Sequence, residues 1–244
     1  MTALVVEELA EGWLGFVGQV LPGLGARIDT RSVAVKLEDG SVLLWSPLDF
    51  GDQEAERIEA LGEVRRLVSP NLYHHLFFGH AQQRWPRAVA WGPEGLEAKR
   101  PDLTLDRLLG RKAGFGEADA QVEGYAGAAE DEWPPEFVAL PIEGMPSFRE
   151  WVLLHRPSRT LLVADLVFHR PRAHNTFTRM FFRLAGTYER FAQSRLFLSF
   201  VRDKDAYRRS IEAVLDQDFD RLVMAHGDVI DAGARDRLAE ALRR

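Results

Sequence analysis

Val33 to Lys36 and Val42 to Trp45 are apolar runs on either side of Glu38-Asp39-Gly40, and Asp-Gly between two such runs is a strong hairpin signal. They predict two antiparallel strands. From Asp52, read as an N-cap, Ala55, Ile58 and Leu61 recur at helical spacing until Gly62, and Val64 to Val68 reads as the next strand. Ser69-Pro70-Asn71 breaks the chain, Tyr73 to Trp85 is predicted as a second helix ended before Pro86, and Ala88 to Trp91 as another strand. Strand, helix, strand, helix, strand is an α/β pattern.

Periodicity is weakest over 101–135, and Gly114 to Glu132 in particular is rich in Gly, Ala and acid, which predicts a loop or mobile excursion. Strands resume at Glu136 to Ile142 and Trp151 to His155, followed by a turn over 156–159 and a very apolar strand over Thr160 to Val167. Ala173 to Arg202 reads as an unusually aromatic helical segment and Asp203 to Leu215 as a further helix, so 173–217 forms a helical insertion. Arg221 to Ala225 is a short strand ending at His226-Gly227, and Asp231 is read as the cap of a closing amphipathic helix. No period of 20 to 50 residues repeats, which removes solenoids and propellers.

Composition narrows the chemistry. Hydrophobic residues at 46% and charged residues at 28% suit a globular chain with a closed core. Lys+Arg 31 against Asp+Glu 37 gives a net charge of −6, which disfavours a nucleic-acid partner. With no cysteine, thiolate metal sites, disulfides and a thiol nucleophile are excluded, so a metal has only His, Asp or Glu to bind. The acidic start lacks the features of a signal peptide and no uncharged apolar run reaches 18 residues, so the expectation is a cytoplasmic protein with no membrane span. Gly12, Gly15, Gly18, Gly23 and Gly25 supply turns but no phosphate-binding fingerprint, and Ser158 sits in no nucleophile elbow.

Three places put a His or Asp beyond the carboxyl end of an apolar strand: His74-His75 after Val64 to Val68, Asp165 after Leu161 to Ala164, and His226 after Leu222 to Ala225. Ligands of α/β sheets bind at such ends, so residues far apart in sequence can converge there. Imidazoles with a carboxylate suit one divalent ion, zinc first, with iron and manganese as alternatives.

Leu162-Val163-Ala164-Asp165-Leu166-Val167-Phe168 and Val223-Met224-Ala225-His226-Gly227 resemble the Asp-bearing strand end and the final His-Gly of the metallo-β-lactamase superfamily. Val68 to His75 falls where that superfamily carries its T-H-x-H-x-D-H signature. Trp45-Ser46-Pro47, Ser69-Pro70-Asn71, His74-His75-Leu76-Phe77 and His155 to Thr160 are similar to an uncharacterised branch of it. The resemblance implies one α/β domain over 1–244, a four-layer αβ/βα sandwich of two mixed sheets with an aromatic helical insertion. It also implies departures. Pro70, Leu72 and Met145 fall where the three histidines of the first metal site stand, and Ser46 falls where an Asp is common. What the resemblance leaves is the second site, with His75 and His226 matching its histidines, His74 replacing its Asp, and Asp165 matching the bridging carboxylate.

The function expected is a metal-dependent hydrolase-like protein with one ion among His74, His75, Asp165 and His226, acting on a small molecule. The competing classes are a non-catalytic binding protein that keeps the fold, and a purely structural polar network, since a His-His pair opening a helix also caps and packs. His80 is expected to be structural, His155 and His174 to be surface or hydrogen-bonding residues, and His169 to lie at the surface unless it serves as an outer ligand or general acid. The aromatic segment from Phe177 to Val201 is expected to pack in the core and to cover the cleft mouth as a lid, with a homodimer contact as the alternative.

Overall fold

Alternation along the strands decides the layers. In a computed structural model that describes residues 4–21, 25–109 and 133–243, the first sheet contains β1 (Val5–Ala10), β2 (Trp13–Val20), β3 (Ile28–Lys36), β4 (Val42–Trp45), β5 (Val64–Val68), β6 (Val89–Gly92) and β7 (Arg107–Leu108), paired in that order. The first four strands are antiparallel and β4 to β7 run parallel. The second sheet has the order β13-β10-β9-β8, from β8 (Phe137–Pro141), β9 (Trp151–His155), β10 (Thr160–Val163) and β13 (Arg221–Met224), with only the β10/β13 pair parallel. A small third sheet pairs β11 (Phe168–His169) with β12 (Phe191–Ala192).

Successive side chains point to opposite faces of a strand. Val33, Val35, Leu43 and Trp45 of the first sheet meet Ala139, Leu153, Leu162 and Val223 of the second in one shared core. Their neighbours Ala34, Val42 and Leu44 turn outward onto Ala55 and Ile58 of α1 (Asp52–Glu59), and Phe78 and Ala81 of α2 (Phe78–Arg84). On the far side Leu140, Leu154, Leu161 and Leu222 pack on Ile211 and Val214 of α6 (Lys204–Leu215), and Leu238 of α7 (Ala234–Leu242). Helix, sheet, sheet, helix is the four-layer αβ/βα sandwich expected from the sequence. α3 (Leu96–Lys99), α4 (Thr176–Ala185) and α5 (Arg195–Leu198) complete the helices described.

Several local expectations are corrected. Residues 5–20 form a hairpin that the Gly-rich sequence concealed; Gly12 makes its turn at φ 74°. The predicted helix over Tyr73 to Trp85 starts only at Phe78, leaving His74 and His75 in a turn, because the Asn71 side chain accepts the backbone N–H groups of Tyr73 and His74. The aromatic segment is not one helix: α4 stops at Gly186, φ 79°, and β12 separates it from α5. Asp52 is the first helical residue rather than the cap, and Asp231 caps nothing but pairs with Arg221 at 3.1 Å. The excursion expected over Gly114 to Glu132 lies outside the described residues.

The parallel pairs β4/β5 and β10/β13 bring the carboxyl ends of each pair to a common edge. Arg31 ties the two edges: its backbone N–H donates to the Ala225 carbonyl at 2.8 Å, and its buried guanidinium donates to the carbonyls of Met224 at 2.5 Å and Gly227 at 2.8 Å.

Candidate functional site

Loops leaving β4, β5, β10 and β13 deliver Ser46, His74, Asp165 and His226 to one place. His74 Nε2 lies 3.3 Å from Asp165 Oδ2, His226 Nε2 lies 3.3 Å from Asp165 Oδ1, and the two Nε2 atoms are 3.2 Å apart. One ligand atom from each residue falls within 4.8 Å of the others. The far ring nitrogens are held from behind: His226 Nδ1 meets the Asp29 carbonyl oxygen at 2.7 Å and His74 Nδ1 meets Ser46 Oγ at 2.8 Å. A carbonyl only accepts, so His226 carries its proton on Nδ1 when neutral and presents a bare Nε2 to the cluster. This is the outer-partner arrangement that fixes metal-binding imidazoles. Phe168 stacks on the His226 ring, centroids 4.8 Å apart and planes 8° apart.

Gly227 explains the His-Gly pair. At φ 117° it runs so close to β11 that a Cβ there would fall 1.8 Å from the His169 carbonyl oxygen, and His169 N–H donates to the His226 carbonyl at 3.1 Å. Ser46 also has a positive φ, 51°, in the region that side-chain-bearing residues seldom occupy.

Asp165 is oriented by two residues that sequence reasoning did not assign to the site. Asn71 Nδ2 donates to Asp165 Oδ2 at 2.8 Å and to Glu150 Oε2 at 2.6 Å. Glu150, 1% exposed, accepts the backbone N–H groups of Ala164, Asp165 and Leu166 on Oε1 at 3.0, 2.9 and 3.3 Å. Burial, reinforced by the Asp165 charge, pushes the Glu150 carboxyl up to about 8. Burial opposes charge on Asp165 as well, yet the adjoining His74 and His226 imidazoles hold its carboxyl well below the usual carboxylate range. The two carboxyls thus separate into one that favours its proton and one that favours its charge.

His75 is not part of the group. Its Nδ1 faces Arg100 Nη1 at 3.0 Å, and burial followed by the Lys99 and Arg100 charges pushes the imidazole down to about 4 from 6.5. Below pH 6.5 the unfolded chain therefore takes up a proton that the folded chain refuses, and stability falls until the pH passes about 4. Thermal melts between these limits should show His75→Gln losing less stability than the parent; parallel slopes would refute this.

The remaining histidines lie outside the cluster. His80 pairs with Asp49 at 2.8 Å and His174 with Asp29 at 2.6 Å. His169, expected at the surface, is buried, and His155, expected at the surface or in a hydrogen bond, is buried and hydrogen-bonded. His155 bonds Ser158 Oγ at 2.8 Å, while His169 sits between the Asp228 carbonyl and Arg237 at 2.9 and 3.2 Å, which removes it as an outer ligand. Leu72 and Met145 are built into the hydrophobic core.

The cluster lines a cleft of about 470 Å³ whose walls include Ile28, Leu48, Phe168 and Phe148, with Phe181, Leu196, Phe197 and Phe200 from the aromatic insertion. The insertion thus borders the cleft as expected, and Phe182 and Phe197 also pack in the core.

Residues 18–181 match the family model described as Domain of unknown function (DUF4336). Among curated proteins, none matches. Among solved structures the chain is similar to the metallo-beta-lactamase from Pontibacter korlensis, with 12% identity, TM-score 0.64 and 99% of both chains covered. It is similar to that from Erythrobacter litoralis with beta mercaptoethanol in the active site, with 15% identity, TM-score 0.62 and 100% of this chain and 97% of that one covered. It also resembles the metallo-beta-lactamase FIM-1 from Pseudomonas aeruginosa in the mono-zinc form, with 11% identity, TM-score 0.61, and 99% and 96% covered. The fold is that of the metallo-β-lactamases.

Proposed function

The chain belongs to the DUF4336 family, and from that premise we propose that it is a hydrolase dependent on one divalent metal ion, zinc first, held by His74, Asp165 and His226. The observation that carries this reading is the convergence of two imidazoles and a carboxylate, with His226 Nε2 left bare by the Asp29 carbonyl behind its ring. A bare imidazole nitrogen and a carboxylate crowded together repel unless a cation or a shared proton lies between them, and two His with one carboxylate is a donor set that suits zinc. The mono-zinc form of the FIM-1 enzyme supports a single-ion site within this fold.

A bound divalent ion supplies Lewis acidity, polarising an ester, amide or phosphoester oxygen and acidifying water. The chain does the rest. Asn71 and Glu150 keep Asp165 aimed at the two imidazoles, Ser46 and the Asp29 carbonyl fix the rings, and the apolar walls exclude bulk water and bind the uncharged part of a small-molecule substrate. The dinuclear mechanism that the resemblance would imply lacks its first-site ligands, because Leu72 and Met145, which fall at two of those histidine positions, are core side chains.

That last point favours the second reading, a binding protein that has kept the fold and given up catalysis. A panel of apolar carboxylic esters, anilides and phosphodiesters, assayed with zinc-, iron- and manganese-loaded protein, separates the two. Hydrolysis that disappears with a chelator and with His226→Ala is expected. A loaded protein inert toward all three classes would favour the binding protein.

A further inference from the structure

The aromatic insertion is as unusual outside the cleft as inside it. Phe177, Met180 and Leu184 of α4 are 58%, 54% and 68% exposed, and their spacing places them one above another on a single helix face. Solvated surfaces rarely carry three large apolar side chains in a row on a short helix without a partner. Arg179 and Arg183, four residues apart, border that stripe on its solvent side, and Phe181 of the same helix borders it on the other side as part of the cleft wall.

Charge supplies the second, independent observation. Although the chain carries a net charge of −6, residues 170–202 hold seven arginines and a single acid, Glu189. All seven arginines are exposed, and among the described residues none is paired with a carboxylate. Arg179 and Arg183, without a carboxylate partner although Arg183 lies over the Tyr188 ring at 5.1 Å, stand beside an apolar stripe and match a surface that offers phosphate at one depth and hydrocarbon just beneath it. A nucleic acid would satisfy the arginines and leave the stripe in water; an apolar partner would satisfy the stripe and strand the arginines.

We propose that the outer face of α4 docks on a bilayer surface rich in anionic phospholipid, with Phe177, Met180 and Leu184 entering the headgroup layer and Arg179 and Arg183 on the lipid phosphates. No span is involved: no helix among the described residues is long and apolar enough to cross a membrane. Docking in this orientation sets the cleft mouth, where Phe181 and the exposed Leu196 lie, beside the lipid surface. The docking face is separate from the His74, Asp165 and His226 cluster and needs no metal.

Sedimentation of the full chain with vesicles tests this, using phosphatidylcholine alone and phosphatidylcholine mixed with phosphatidylserine. The chain is expected to sediment with the mixed vesicles only and to be released at about 0.5 M salt, where charge attraction is screened. Arg179→Glu with Arg183→Glu, and separately Phe177→Ser with Met180→Ser and Leu184→Ser, should each lower partitioning about tenfold or more. Circular dichroism should be unchanged, since the five side chains are exposed, and Leu184→Glu alone serves if the triple variant aggregates. Arg65→Glu with Arg87→Glu, remote from this face, should bind like the parent. Three results would overturn the proposal: no sedimentation with either vesicle; binding lost with the arginine variant but kept by the apolar one, which describes a plain polyanion site; or a concentration-dependent dimer in light scattering that the apolar variant dissolves.

Discussion

Glu150→Leu is expected to melt about 6–12 °C below the parent, from a loss of about 3 kcal/mol. The leucine would sit where a fully buried carboxyl accepts three consecutive backbone N–H groups and the Asn71 amide. Each donor left without a partner costs about 1–3 kcal/mol, offset in part by the apolar side chain that replaces the acid. Asn71 cannot rotate to help, because its Oδ1 already accepts the N–H groups of Tyr73 and His74. Glu150→Gln keeps an oxygen for the three backbone donors but sets one amide NH2 against another, so it should fall between the parent and the leucine variant. A leucine variant that melts with the parent would show that the network contributes nothing to the fold.

His226→Ala and Asp165→Asn are expected to lose stoichiometric zinc binding while remaining folded. Each removes or weakens one of the three donors that converge among the described residues. The loss should therefore exceed the 10–100-fold typical of an outer partner, which is the range expected for Ser46→Ala, where the hydroxyl only supports His74. The structural-network alternative forecasts the reverse, a lowered melting temperature with no ion bound to either parent or variant. Zinc titration and thermal melting on the same preparations separate the two.

The sequence revealed the layers better than the site. In β8, β9, β10 and β13 nearly every residue is apolar, because both faces of the second sheet are covered, and strand ends followed by Asp165 or His226-Gly227 stood out against them. β2 was concealed because Gly15 and Gly18 interrupt its apolar pattern, so only pairing with β1 and β3 reveals it. The choice between His74 and His75 turned on Asn71, whose side chain captures two backbone N–H groups and delays α2. Helical spacing alone put both imidazoles on a helix they do not join. Glu150 left no local signal: one acid before an apolar strand is ordinary, and its role exists only because the β10 loop folds back over it. Ser46 and Asn71 stood in segments that resembled a family branch, but their hydrogen bonds to His74 and Asp165 are tertiary facts.

Whether His74, Asp165 and His226 hold one divalent ion is read by calorimetric titration of chelator-treated protein with zinc, checked by elemental analysis after dialysis. One ion per chain is expected, retained through dialysis and absent from His226→Ala. Binding well below one ion per chain, or one ion bound equally by parent and His226→Ala, would contradict it.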